Sequence, residues 1–217
     1  MLTVLEMERV IALLEEGTAK PENYPERVKM IEKLKVECSR SYAKENGKTD
    51  LQKALEKVVY KRDIRPVLQA PWTDEKGITY ATDTYQALKI MDTSGLKLKE
   101  NRAVKEGYTP PNMDRLFPTN FAAEEELPTL AELKEHMTKA KAMKKISVYV
   151  FDNFKVMVNS EFLVNGILAT GETKAKLNGQ MKPLVIENDN VTYMGMGIKP
   201  TGNEDIIDGH WAYIEKK

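Results

Sequence analysis

Apolar residues recur at three- and four-residue spacings through the first third of this chain, and at alternate positions through the last third. Over residues 3–16, Val4, Leu5, Val10, Ile11, Leu13 and Leu14 gather on one face of a helix, with Glu8, Glu15 and Glu16 on others. Gly17 is placed to stop it. A second helix, over about 25–46, opens on Pro25 and carries Val28, Ile31, Leu34 and Cys38 at helical spacing. It ends at Asn46-Gly47. Asp50 is suited to cap a third helix, 51–61, whose apolar stripe is Leu51, Leu55 and Val58. Lys53, Lys57 and Lys61 form a second stripe on its opposite side.

The pattern then changes. "PVLQAPW" reads as extended, "TDEKG" as a turn, and "ITYATD" alternates as a half-buried strand does. "TYQALKIM" fits a further strand. Residues 92–128 lack a period and hold Pro110, Pro111, Pro118 and Pro128; the pattern suits a connection packed over a surface. Thr129 and Glu132 form a capping box for a helix from 130 to about 143, with Leu133, Met137 and Ala140 facing inward. "ISVYVF" and "FKVMVN" flank Asp152-Asn153, the signal of a tight or bulged hairpin. Asn159 or Ser160 starts a short helix, "EFLVNGILATG", weakened by Gly166 and ended by Gly171. "TKAKLNG", "MKPLVIE" and "VTYMGMGI" supply three strands, and residues 199–217 form a polar tail with an aromatic cluster of His210, Trp211 and Tyr213.

A helix followed by strands therefore occurs twice, over 51–90 and 154–198. The prediction is an α+β fold of antiparallel sheets and short helices with an N-terminal helical segment. The expected divisions are 1–48, 49–128 and 129–217. No βαβ rhythm supports a Rossmann fold or barrel.

The chain has 217 residues with 33 basic and 33 acidic side chains, so its formal net charge is zero. That balance gives no bulk pull toward nucleic acid, although opposite faces can carry opposite charge. Cys38 stands alone, which excludes an intrachain disulfide and suits a reducing, cytoplasmic setting. The acidic N-terminal stretch is no signal peptide, and no apolar run reaches membrane-spanning length, so no membrane association is expected.

Candidate chemistry is sparse. Glu132 and His136 stand four apart on one helix and could give two metal ligands, but nothing nearby supplies a third. His210 beside Asp208 is an equally thin pair. Cys38 has no local histidine, and "GETKAKLNG" lacks the ending of a phosphate loop. The expectation is a non-enzyme with no catalytic residue, metal or cofactor.

At "YATDTYQAL" and "KPLVIENDNVTYMGMGI" the sequence resembles the bacterial DNA sliding clamp, the beta subunit of the replicative polymerase. Ala81, Thr82 and Asp83 match a family segment that follows a strand, and "GYTPPNMDRLFP" is similar to its proline-containing stretch. Lys182, Pro183, Leu184 and Ile186, then Tyr193, Met194 and Met196, look like its C-terminal strands. The resemblance covers about 50–118 and 145–198, and leaves the N-terminal helices and the tail 199–217 outside. Clamps of this family have three domains per chain and close as dimers, while this chain has room for two.

The resemblance implies sliding-clamp-like (processivity-fold) domains and a non-catalytic replication accessory factor that encircles or associates with double-stranded DNA. It also implies a homo-oligomer, for which three two-domain chains would supply six domains. Family helices face the phosphate backbone, a role that Lys53, Lys57, Lys61, Arg62 and Arg65 fit, with Lys141, Lys144 and Lys145 (beside Lys139) as a second basic run. The same lysines suit a solvated helix face, and the second run also suits a helix C-terminus. Clamps hold peptides of replication or repair proteins in an apolar groove, and Met194, Met196 and Ile198 are similar in placement. Core packing of an alternating strand explains those three equally. Trp211 either covers that patch or anchors the tail. The alternative function is a clamp-derived protein-interaction module without DNA binding.

Overall fold

The computed structural model describes residues 2–16, 25–59, 64–200 and 206–215. The chain forms two compact units, one of Met1–Lys53 with Thr93–Lys99 and one of Ala54–Asp92 with Glu100–Lys217. The first unit is a helical hairpin, α1 (Val4–Glu16) and α2 (Pro25–Glu45), plus the start of α3 (Thr49–Val58). Thr3 and Glu6 cap α1 reciprocally: the Thr3 backbone N–H and hydroxyl both donate to Glu6 Oε2, at 2.8 and 2.9 Å. The buried face differs from the expected one. Met7 and Ile11 meet Ile31 and Cys38, with Val4, Leu14 and Leu34 at the margin, while Leu5 and Leu13 are exposed. Two adjacent apolar pairs, Val4-Leu5 and Leu13-Leu14, span too wide an arc for one stripe to cover.

The second unit is built on a seven-stranded antiparallel sheet. Its strands are β1 (Trp72–Thr73), β2 (Thr79–Thr82), β3 (Gln86–Ile90), β4 (Ala123–Glu126), β7 (Lys174–Leu177), β8 (Leu184–Glu187) and β9 (Val191–Gly195), in the order β1-β2-β3-β9-β8-β7-β4. A three-stranded sheet follows the order β10-β5-β6, from β5 (Lys145–Val150), β6 (Met157–Asn159) and β10 (Trp211–Glu215). Helices α5 (Leu130–Ala142) and α6 (Ser160–Thr170) pack on β5 and on each other, and α6 also lies on β8 and β9. A short α4 (Arg102–Lys105) sits in the irregular segment.

The antiparallel α+β architecture agrees with expectation, and so do both marked helix ends. The Thr129–Glu132 capping box is complete, and Asn159 caps α6, which stops at Gly171 with φ 74°. The irregular segment covers one face of the large sheet: Ala103, Met113 and Phe117 pack with Trp72, Tyr80, Val185 and Met194.

Other details differ. "PVLQ" is a 3₁₀ turn, not extended chain, because Pro66 opens a turn as readily as it extends one. Asp152-Asn153 does not make a tight hairpin. Val150 pairs with Met157 across a longer loop, in which Phe154 and Lys155 are left-handed and Glu125 accepts the Asp152 and Asn153 N–H groups. The tail contains β10, which pairs with β5 from Trp211↔Tyr149 to Glu215↔Lys145. Trp211 anchors it, stacked on His136 with ring centroids 3.7 Å apart. His136, rather than Met137, is the buried member of that turn of α5, and its Nδ1 shares a 2.8 Å hydrogen bond with Tyr213 Oη.

Helix α6 docks through a gap and a polar hub. A Cβ at Gly166 would lie 2.5 Å from Ile186 Cδ1 and 2.8 Å from Tyr193 Cδ1, so the glycine admits the sheet's side chains. Beside it, Gln86 Oε1 accepts from Asn165 Nδ2 at 2.8 Å and from Tyr193 Oη at 2.7 Å, while Gln86 Nε2 donates to Asp83 Oδ2 at 2.8 Å. Burial raises the Tyr193 phenol far above its ordinary range and raises Asp83 against the pull of its backbone donors.

Three stability predictions follow from this packing. Gly166→Ala lowers stability by about 1–3 kcal/mol despite alanine's better helix propensity, because the methyl overpacks the α6–sheet contact. Ile186→Val recovers part of that loss, both being read from urea midpoints. Tyr193→Phe costs about 1 kcal/mol, whereas Gln86→Leu strands Asn165, Tyr193 and Asp83 together and costs about 3 kcal/mol or more. Equal losses in the two variants would contradict the hub. Burial first, and the Lys139 ammonium second, hold His136 below the ordinary imidazole value. The unfolded chain then takes up the proton first, so stability is full above about pH 6.5 and declines as pH falls below it. His136→Phe flattens that decline in denaturation curves recorded from about pH 7.5 to about pH 5.

Candidate nucleic-acid interface

Helix α3 starts at Thr49, earlier than expected, so Asp50 lies in its first turn. Its lysines are exposed but engaged: Lys53 pairs with Asp50 at 3.0 Å, and Lys57 with Glu161 of α6 at 3.5 Å. Lys61 and Arg62 lie outside the described residues. Arg65 is exposed at the start of the 3₁₀ turn Pro66–Gln69. The expected row on α3 therefore reduces, among the described residues, to two lysines that each have a carboxylate neighbour.

Helix α5 offers more free charge. Its inward side carries Leu133, His136 and Ala140. On the outward side Lys134, Thr138 and Lys141 follow one another at spacings of four and three, all exposed. The Thr138 hydroxyl donates to the Lys134 carbonyl at 2.8 Å, so it is held against the helix and leaves the two lysines as the projecting groups. Lys144 continues beyond the helix end in a left-handed conformation, with φ 57°. Lys145, the first residue of β5, pairs with Glu215 at 3.5 Å, and Lys139 pairs with Glu135 at 2.7 Å. That second pair raises the lysine and lowers the glutamate. The run 139–145 thus divides: Lys141 and Lys144 project, while Lys139 and Lys145 hold local carboxylates.

Lys134 was not visible as part of that run. The signal that finds it is its seven-residue spacing from Lys141, two helical turns on the same side.

Helix α6 contributes no positive charge. Glu161 is exposed, and Val164 and Leu168 are half-buried on the same side. The strand residues of the expected groove separate. Met194 is buried among Trp72, Val185 and Phe117 of the large-sheet core. Met196 is half-buried, and its N–H donates to the Tyr85 carbonyl at 2.9 Å. Ile198 is half-buried against the small sheet, where its N–H donates to the Met157 carbonyl at 2.7 Å.

Among the described residues no group of three or more His, Cys, Asp and Glu side chains could hold a metal ion. Both members of the Glu132–His136 pair have other work, Glu132 in the cap of α5 and His136 with Tyr213. Among the described residues no helix is long and apolar enough to cross a membrane.

No family model matches the chain, and no curated protein sequence does. Solved structures do. A Helicobacter pylori beta clamp bound to a DNA ligase peptide is similar with a TM-score of 0.51 and 14% identity, over 70% of this chain and 63% of that one. The beta subunit of DNA polymerase from Streptococcus pyogenes gives 0.53 and 10%, over 71% and 64%. The DNA polymerase sliding clamp of Bacillus subtilis gives 0.52 and 10%, over 71% and 63%. The chain spans a little under two thirds of the length of these structures. At the level of the fold, this chain is similar to bacterial DNA polymerase III beta clamps, as a distant and partial likeness.

Proposed function

We propose that this chain is a cytoplasmic, non-catalytic accessory factor of DNA replication that associates with double-stranded DNA as a homo-oligomer on a clamp fold. The observation that carries it is the outward row of α5, Lys134 and Lys141 continued by Lys144, on a fold shared with DNA clamps. Phosphate binding asks for projecting positive charge and for no reactive group, and its strength falls as salt releases fewer counterions. Lys53, Lys57, Lys61, Arg62 and Arg65 are assigned a supporting role. Duplex phosphates would compete there with Asp50 and Glu161 for the first two. A peptide of a replication or repair protein docking beside β9 would use Met196 and Ile198, because Met194 is buried.

The competing function, a clamp-derived protein-interaction module without DNA binding, is favoured by α6. That helix turns Glu161, Val164 and Leu168 outward and holds no lysine or arginine.

Duplex binding measured by fluorescence anisotropy over a salt series separates the two. The proposal expects the affinity to fall steeply with salt. Lys134→Glu, Lys141→Glu and Lys144→Glu together should weaken binding at least about tenfold at low salt and flatten the slope by about one unit per lost phosphate contact. A triple variant that binds like the parent defeats the assignment to α5, and a parent with no salt-dependent binding favours the module.

A further inference from the structure

Helix α1 has two apolar sides, and α2 covers only one. Met7 and Ile11 face α2, with Val4 and Leu14 at the edges. Leu5 and Leu13 lie on the opposite side and are 58% and 69% exposed, far more than a helix end or surface curvature requires. Between them, on the same outward side, stand Arg9 and Ala12, and Glu6 borders it.

This sequence of groups is self-complementary. Turn a second copy of α1 antiparallel about a two-fold axis at Arg9, and Leu5 of one copy meets Leu13 of the other. The arrangement repeats at the opposite end, the two leucine layers being about 12 Å apart along the axis. Ala12 leaves room for close approach beside each layer. Arg9 of each copy then lies about 4.5 Å along the axis from Glu6 of the other, within reach of its long side chain. Glu6 accepts from Thr3 through Oε2 only, which leaves Oε1 open to a guanidinium. A parallel pairing sets like charges side by side and loses the match.

We infer that the outward side of α1 is an isologous contact to a second copy of this chain, with Leu5, Arg9 and Leu13 at its centre. One helix side is a small interface, below about 1,200 Å² in total, so association is weak and concentration-dependent. The contact is independent of duplex binding and stands or falls without it.

Sedimentation velocity of the full chain over a concentration series, without DNA, tests the inference. The parent shifts from monomer toward dimer as concentration rises. Leu5→Glu and Leu13→Glu, both at exposed positions that leave the fold intact, each hold the protein monomeric. Arg9→Glu weakens the dimer by at least about tenfold, and adding Glu6→Arg to it restores the parental constant within about threefold, with helix content followed by circular dichroism because Glu6 also caps α1. A parent that stays monomeric throughout overturns the inference. So does self-association unchanged by Leu5→Glu and Leu13→Glu, since the contact then lies on another surface.

Discussion

The seam between β3 and β9 is the constraint on which the larger unit depends. These strands come from the two ends of that unit, yet they pair along their whole length, from Gln86↔Gly195 to Ile90↔Val191. Apolar alternation alone would tolerate neighbouring registers poorly, since a one-residue slip turns every side chain to the other face. Gln86 adds a second condition. Its amide must meet Asn165, Tyr193 and Asp83 at once, in a site without water to substitute for any of them. Only one register, and one height of α6 above the sheet, satisfies all three. Asp83 in turn fixes the β2–β3 turn by accepting from Tyr85 and Gln86 backbone N–H groups, which offsets the left-handed conformation of Thr84.

A helix held so close to a sheet has little side-chain volume left for other purposes. Ser160, Leu163, Asn165, Gly166, Ala169 and Thr170 of α6 are buried, and its outward strip is narrow and carries Glu161. Helix α5 sits differently. It touches β5 with Leu133, His136 and Ala140 and keeps a broad outward side, where the lysines stand. Charge is segregated elsewhere as well. The outer strand β4 bears Glu124 and Glu126, both paired with Lys174, a charged edge that discourages further strand addition. Zero net charge therefore describes the sum and not the surfaces.

Most of what the sequence announced is local chemistry. The Thr129–Glu132 box, the Asn159 cap and Gly171 stop depend on residues within four positions, and each forms as its spacing predicts. The strands from Thr79 to Ile90 and from Leu184 to Gly195 follow from alternation and β-branched content. What was not legible depends on partners far away in sequence. Gly166 looked like a weakness in α6 because its propensity is poor, but its value lies in Ile186 and Tyr193. The tail looked polar because β10 buries only Trp211 and Ala212, and its strand exists because β5 offers an edge. His136 looked like half of a metal site, and nothing local foretold Trp211 above it or Tyr213 beside it.

The same distinction bears on the two helix-and-strand copies. They are alike in layout because that layout solves one packing problem, a short helix laid over antiparallel strands. Layout does not carry charge, and the lysines of α3 have no counterparts on α6. The positive row instead stands on α5, a helix that belongs to neither copy. It is free to present Lys134 and Lys141 because α6, and not α5, supplies the close contact with β8 and β9. One helix closes the core by giving up its outer chemistry, and its neighbour keeps an outer face because the core no longer needs it.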